Sequence, residues 1–525
     1  MAAPIFNVLD GAGVIGGTKI LLQSGKANVL LDFGTNFWVW NQYFEEYLKP
    51  RSSRGLLDAA ELGLLPPIPS LYRADYMPPG VDPWRGAAPA TLTKLQVDAI
   101  LITHAHLDHC GYLSYVNPSV PIVSTVATAF LMKAIQDTSK GDLEKEICYC
   151  VPRQEKDGLL RSGDFRKFPA TQRRFLTPGD ANLSADAASF WTNPLGSRQL
   201  IATTIETIAA ISGCALLAYP VDHSIPGCAA FAFETDGGWV VYTGDVRLHG
   251  ENGQLTRVFA EQVARLKPRL LFCEGTRVSR LEDEVLSEVD VRERALTVVK
   301  GTPGLVIADF GSRNLERLQT FRQVALECGR QLVLMTKDIH LLKAHFLATG
   351  LGIDPVTDPV LLLYQESKSS ESTADRTIYA TYQSKLINPA DIAKEQDRFI
   401  VCFSFWDLNE LVEIRPIRGS VYIYSSSEAY DEEQKADIRR LRNWLKHFDV
   451  TPLGVPDPET GRPLPGETGL HASGHASATD LLELIETMDP EMLVPVHTER
   501  PEFFLEHCGG SRNVLIPKAL EALPV

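Results

Sequence analysis

THAHLDHCG, residues 103–111, follows directly on the apolar run VDAILI (97–102). His104, His106, Asp108 and His109 fall within six positions of one another. The run before them is short, apolar and rich in β-branched residues, so it reads as a buried strand. A dense set of metal-binding side chains therefore begins where a strand ends. His104 and His106 are two apart, so both can face one side of an extended segment. Asp108 and His109 then lie on a turn and can address a second ion close by. Imidazole together with carboxylate suits zinc, and also manganese or iron. So compact a ligand run, with partners scattered elsewhere, points to two metals sharing a bridging carboxylate. Such pairs sit about 3.5–4 Å apart and generate a hydroxide nucleophile near neutral pH.

Polar residues recur just after other apolar runs: His223 after CALLAYPV (214–221), Asp245 after WVVYT (239–243), Glu274 after RLLFC (269–273) and His497 after MLVPV. If those runs are neighbouring strands of one sheet, their carboxyl ends gather the histidines and aspartates around one crevice. A further cluster lies in LHASGHASATDLLELIETM (470–488). His471 and His475 flank Ser473-Gly474. Ser477 to Asp480 matches a capping box, and Leu481, Leu482, Ile485 and Met488 form a helical apolar face. His475 thus precedes a helix start, beside free backbone N–H groups that suit a phosphate.

The rest of the chain supplies the scaffold. ILLQ (20–23) and NVLLDFG (28–34) read as strands, and the Pro-rich stretch 64–84 as an irregular insertion. CAAFAFET (228–235) and WVVYT flank Asp236-Gly237-Gly238 as a hairpin. From about 280 strands alternate with helices: GLVIADF (304–310), a helix within 312–329 capped by Ser312, QLVLMT (331–336), a helix ending at Gly350, RFIVCFS (398–404), WDLNELV (406–412), SVYIYSSS (420–427) and a charged helix over 428–448. That alternation predicts an α/β unit with a mostly parallel sheet. The Pro/Gly-rich stretch 454–469 reads as a return connection.

The chain has 525 residues, 44% of them hydrophobic, and a net charge of −15. At about 150 residues per domain it holds two to four domains. Its acidity argues against broad non-specific polyanion binding, although metal ions supply positive charge that the residue count omits. The start carries no basic region followed by an apolar stretch, and no run of about 18 apolar residues occurs, so neither a signal peptide nor a membrane span is expected. The nine cysteines are scattered, as free thiols of a reducing, cytoplasmic setting are. Cys148 and Cys150 form a lone C-x-C with no second pair nearby, and read as ordinary thiols.

Taken together, THAHLDHCG, DHSIPG, YTGD, CEGT, HASGHAS and PVHTE resemble the metallo-β-lactamase-fold nucleases of the β-CASP family, which include ribonuclease J and the endonuclease subunit of mRNA 3′-end processing. The resemblance implies an αββα sandwich, residues 1–275 and 451–525, with an α/β β-CASP domain inserted at 276–450. It implies two zinc ions (or manganese). His104, His106 and His223 correspond to the ligands of one, Asp108, His109 and His497 to those of the other, and Asp245 bridges. Glu274 corresponds to the acid that orients His475, and His475 to the residue facing the scissile phosphate. His471, Ser473 and Gly474 match the loop that contacts substrate phosphates. The implied activity is hydrolysis of single-stranded RNA, internally or from the 5′ end, by a two-metal-activated hydroxide.

Departures from the pattern bear on its reach. HTE replaces the usual HGE after the last ligand, and 64–84 and 137–213 exceed the compact ribonuclease J pattern. The sequence ends soon after His497, without the C-terminal domain of typical ribonuclease J, so dimerisation through that domain is not expected; a homodimer of another kind or membership of an RNA-processing complex is the expected assembly. Two alternatives compete. A DNA-directed β-CASP nuclease has an apolar residue in place of His497, so that histidine favours RNA. A non-catalytic subunit of an RNA-processing complex would not need the complete ligand set.

Overall fold

The protein is described here by a computed structural model, covering all residues except 1–3, 46, 87, 140–142, 164–166, 197, 281–284 and 428–431. Two sheets stack face to face. The first has eight strands and runs from Glu206–Thr207 at one edge through Phe175–Thr177, Ile122–Val123, Ala99–Leu101, Asn28–Leu31, Lys19–Gln23 and Ile5–Asp10 to Ala522–Pro524. The second has seven: Ala210–Ile211, Cys214–Pro220, Ala229–Thr235, Gly238–Tyr242, Leu270–Glu274, Met492–Val496 and Asn513–Val514. The period-2 alternation of strands divides the apolar residues between two cores. Val29, Leu31, Ala99 and Leu101 face Phe231, Val240, Phe272 and Val494 between the sheets, where Phe6 meets Phe272 edge to face at 5.1 Å. Leu30 and Ile100 point the other way and pack with the Pro-rich stretch.

That stretch is irregular, as its prolines require, with short 3₁₀ turns at Pro69–Leu71 and Ala74–Tyr76. It is nevertheless part of the core: Leu65, Ile68, Tyr72, Tyr76 and Trp84 are buried, and Tyr72 stacks on Trp84 at 5.3 Å. Helices Gly253–Ala264 and Ala478–Met488 pack together on the far side of the second sheet. In the latter the buried positions are Ala478, Leu481, Leu484, Ile485 and Met488. Leu484 therefore takes the place expected for Leu482, which is only half-buried. The two strands flanking Asp236-Gly237-Gly238 form an antiparallel hairpin in which Gly238 already pairs with Thr235.

A third sheet is built wholly from residues between Val306 and Leu453. Its order is Leu386–Ile387, Leu361–Tyr364, Gln331–Leu334, Phe399–Val401, Val306–Asp309, Val421–Tyr424, Thr451–Leu453, and every pairing is parallel. The helix Leu315–Glu327 is capped by Asn314, whose side chain accepts from Arg317 N, not by Ser312; the chain at 311–313 is still in a loop. WDLNELV is a 3₁₀ turn, Phe405–Glu410, followed by one α-turn, Leu411–Ile414. The charged helix is described from Glu432 to His447, and its expected first residues, 428–431, lie outside the described ones. Glu288–Lys300 is a helix that the apolar pattern did not reveal; a capping box between Ser287 and Asp290 starts it.

Polar contacts tie this third layer to the sandwich. His340 Nε2 lies 3.4 Å from Asp137 Oδ2. Arg247 pairs with Glu316 and Glu288, and Glu288 is itself held within the layer by Arg317 at 2.9 Å. All nine cysteines are free. No described helix is long and apolar enough to cross a membrane.

Candidate metal centre

The polar ends converge from both sheets of the sandwich, which corrects the expectation of a single sheet. His104 to His109 follow Ala99–Leu101 in the first sheet. His223, Asp245, Glu274 and His497 come from the second, at or just beyond the carboxyl ends of strands that all run the same way. Asp108 and His109 sit in a single helical turn, Leu107–Cys110, rather than an open turn.

Three imidazoles face one another. His106 Nδ1 lies 3.1 Å from His104 Nε2 and 3.1 Å from His223 Nε2. Asp245 Oδ2 closes this group at 3.6 Å from His104 Nε2 and 3.8 Å from His223 Nε2. On the other side of Asp245, His109 Nε2 lies 3.1 Å from Oδ2 and His497 Nδ1 2.7 Å from Oδ1. Asp108 Oδ2 is 3.8 Å from His109 Nε2 and 3.5 Å from His497 Nε2. In each set, one candidate ligand atom per residue lies within 4.8 Å of the others, and Asp245 belongs to both.

The electrostatics divide along the same line. Burial pushes His104 and His223 well below the usual imidazole range, and His106 to about 4. Burial thus favours the neutral form of all three, whose Nε2 (His104, His223) and Nδ1 (His106) face one another. Burial also works against charge on His109 and His497, but Asp245 and Asp108 outweigh it; His109 rises well above its ordinary value and His497 to about 10. His109 Nε2 and His497 Nε2 are buried without a hydrogen-bond partner. Three neutral imidazoles converging with a carboxylate, and two orphaned ring nitrogens beside two carboxylates, fit cations of the zinc class.

The sequence matches known proteins over the same residues. Residues 79–144, which hold His104 to His109, match the metallo-beta-lactamase superfamily. Residues 467–504, which hold His471 to His497, match the Zn-dependent metallo-hydrolase RNA specificity domain. The chain has the metallo-β-lactamase fold and resembles ribonuclease J. It is 23% identical over 411 residues to ribonuclease J of Sinorhizobium meliloti, covering 77% of this chain and 58% of that protein. It is 22% identical over 413 residues to ribonuclease J of Pyrococcus abyssi, covering 77% and 75%. The chain thus spans somewhat over half the length of the Sinorhizobium protein. A crystal structure of a protein of unknown function from Enterococcus faecalis V583 shares the fold over the full length of both chains, with a TM-score of 0.66 at 20% identity.

Around this ribonuclease J-like centre, the loop 471–475 is held from several sides. His475 Nδ1 donates to both oxygens of Glu274, at 3.0 and 3.2 Å. Glu274 is itself fixed by Val246 N at 2.8 Å and Thr276 N at 3.2 Å. Burial lowers the His475 imidazole, but Glu274 and Asp245 raise it further, so the net shift is upward. Ser473 O accepts from His249 Nε2 at 2.8 Å and Arg247 Nη1 at 3.4 Å. Gly474 O accepts from His223 Nδ1 at 2.5 Å. His471 lies away from the metal cluster, its Nδ1 3.4 Å from Ser425 O, and burial holds it to about 3. The backbone N–H groups here are less available than the sequence implied: His475 N donates to Ser473 Oγ, Ala476 N to Val246 O and Ser477 N to Asp480.

Sequence reading missed Asp32, Thr103, Tyr242, Arg247 and Arg317. Asp32 receives His109 Nδ1 at 2.7 Å. Arg317 donates to Ser425 O, Leu470 O and Ala472 O, bracing the 471–475 loop. Asp32 had a signal in LLDFG: a Cβ on Gly34 would meet the Asp108 carbonyl oxygen at 1.6 Å, so only glycine lets the two segments touch.

Proposed function

We propose that the protein is a metal-dependent ribonuclease that hydrolyses phosphodiester bonds of single-stranded RNA. The observation that carries this reading is the Glu274–His475 pair. It stands beside the two ligand sets without being needed by either, on a segment similar to the RNA specificity domain. The two ligand sets that share Asp245 are complete without His475, whereas hydrolysis needs a proton for the leaving oxygen.

His104, His106 and His223 would hold one zinc-class ion and Asp108, His109 and His497 the other, with Asp245 between them. Bound there, the ions would supply positive charge to the phosphodiester and lower the pKa of water toward neutrality. The chain's own part is positioning and proton transfer. Because Glu274 holds Nδ1 of His475, Nε2 is left to give a proton to the leaving oxygen. Gly474 O fixes the tautomer and tilt of His223, as Asp32 does for His109. The Ser473 hydroxyl accepts from His475 N and keeps its own proton for a phosphate oxygen. Residues 1–275 with 451–525 form the metal-holding unit in this reading, and 276–450 the inserted one, except that Thr451–Leu453 pairs with Val421–Tyr424 and belongs to the inserted sheet; the RNA strand would lie between the two. A reducing, cytoplasmic setting suits nine free thiols.

The test is incubation with 5′-labelled RNA and DNA single strands, with and without chelator. RNA cleavage abolished by chelator is expected, and the product ladder separates internal from 5′-end attack. Equal cleavage of DNA would transfer the reading to a DNA-directed nuclease. No cleavage of either, with metal bound, would make the chain a non-catalytic subunit.

A further inference from the structure

The inserted sheet carries a crevice of its own. The chain leaves Val306–Asp309 through Leu315–Glu327 toward Gln331–Leu334 on one side, and leaves Phe399–Val401 toward Val421–Tyr424 on the other. In an open parallel sheet such a reversal opens a gap outside the carboxyl ends of the strands, where ligands bind. A cavity of about 220 Å³ lies there, bounded by Asp309, Ser312, Lys337, Asp338, Ser404 and Trp406. A second, of about 260 Å³, shares Asp309, Ser404 and Trp406 with it.

Its polar groups are incompletely used. Asp338 is 4% exposed. Its Oδ2 accepts from Met335 N at 3.3 Å, but its Oδ1 has no partner. Asp309 Oδ2 accepts the Tyr422 hydroxyl at 2.5 Å. Burial pushes both carboxyls up to about 7. Lys337 Nζ lies 3.8 Å from Asp407 Oδ2. Trp406 is 66% exposed and lines the cavity. An acidic lining excludes phosphate and carboxylate ligands. Lys337 already supplies a cation, so an organic ammonium would be set against it. What the cavity lacks is N–H donors for its carboxyls and a flat partner for the indole.

We propose that this crevice is a guanine-binding pocket that seats one base of the RNA strand. Two carboxyl acceptors and one ammonium donor match the guanine Watson–Crick edge, with its N1–H and N2–H donors and O6 acceptor. Adenine, cytosine and uracil each present one donor group on that edge. Reading an extruded base by its edge while stacking it on an aromatic side chain is an established mode of recognition. The pocket also neighbours the metal centre: Ser312, on its wall, is followed by Arg313, whose guanidinium acts electrostatically on His106 and Asp108. The inference rests on the ribonuclease reading for its ligand, but its test does not.

The metal-loaded full-length protein is titrated calorimetrically with guanosine, adenosine, cytidine and uridine, none of which carries a phosphodiester. At pH 8, above the titration of Asp309 and Asp338 near about 7, guanosine is expected to bind at least about tenfold more tightly than the other three, since each lacks one hydrogen bond to a charged group. Trp406→Ala should weaken it by about 5- to 150-fold, the worth of one base–aromatic stack. Asp338→Asn should erase the preference for guanosine. Equal binding of all four nucleosides, no binding at all, or undiminished guanosine binding by Trp406→Ala would overturn the pocket; this last variant is on the surface and tests it even if Asp338→Asn misfolds. RNA cleavage without guanosine binding would overturn the pocket alone. Guanosine binding by a protein that cleaves no RNA would support the pocket and overturn the ribonuclease reading.

Discussion

His109 Nδ1 donates to Asp32 Oδ2 at 2.7 Å, and the same carboxylate collects Thr103 N and Thr103 Oγ1 at 2.8 Å each and the Tyr242 hydroxyl at 2.7 Å. Four donors on one carboxylate leave His109 a single tautomer, with Nε2 turned toward Asp245. Asp32 reaches this position in the left-handed region, φ +55°, which Asn also tolerates. Asp32→Asn should therefore fold and still lose about 10- to 100-fold in metal affinity, the usual cost of removing a partner that orients a ligand. Competition with a chelator of known affinity measures this. Unchanged affinity would show that Asp32 serves packing alone.

Gly474 has a steric role as well as a carbonyl. A Cβ there would lie 2.9 Å from Ser224 Oγ and 3.0 Å from His223 Cε1. Gly474→Ala is expected to push the His223 ring off its partner and weaken the site that contains His104 and His106, by about tenfold or more. The variant should keep the other ion, so elemental analysis after dialysis should fall toward one ion per chain. Full retention of both ions would exclude this account.

His497 comes from the far end of the chain to a site founded on residues 104–109, and its backbone is also left-handed, φ +53°. His497→Ala should lower metal content from about two ions toward one on the two-metal model, while secondary structure measured by circular dichroism stays unchanged. Two ions retained, with RNA cleavage intact, would remove His497 from the ligand set.

The sequence announced this centre because chemistry and strand ends coincide in it. A polar cluster after an apolar run is visible without a structure, and so are DHSIPG, YTGD and PVHTE. Which sheet each run joins was not visible: pairing is long-range, and Ala99–Leu101 reads much like Leu270–Glu274 although they lie in opposite layers. Asp32, Arg247 and Arg317 stayed hidden for a related reason. Their importance comes from partners 77, 226 and 153 positions away in sequence, and a lone Asp or Arg looks like any surface charge. The cap falls at Asn314 although Ser312, two positions earlier, is as good a capping residue by type, because Ser312 lies on the crevice wall.

Asp309 supplies a pH-dependence away from the metal ligands. Burial pushes it up to about 7, Asp407 adds to the rise, and the Tyr422 hydroxyl and Lys337 oppose it. In the unfolded chain an aspartate titrates near about 3.9. The fold thus prefers the neutral acid. No cost is incurred below about pH 4; it grows between about pH 4 and 7 and levels off above, at no more than about 4 kcal/mol. Asp309→Asn removes the titration. Its denaturation midpoint relative to the parent should rise from pH 4 to pH 7.5. A difference that is constant with pH would mean that Asp309 is ionised in the fold.

His475 separates chemistry from metal binding. Its Nδ1 is held by Glu274 at 3.0 Å, and it lies 3.9 Å from Asp245 Oδ2, so neither ligand set depends on it. If Nε2 gives a proton to the leaving oxygen, His475→Ala should keep both ions and bind RNA nearly normally, while single-turnover cleavage falls by roughly 10²–10⁴. Glu274→Gln keeps a hydrogen-bond acceptor for Nδ1 but removes the charge that favours the protonated ring, so its loss should be smaller and of the same kind. The rival account makes His475 a prop for the 471–475 loop. That loop is already braced through Arg247, His249 and Arg317, so on this account the defect would appear in RNA affinity and vanish at saturating enzyme. Single-turnover rates for both variants, measured beside metal content, decide between the two, and a normal rate for His475→Ala would end the proton-donor role.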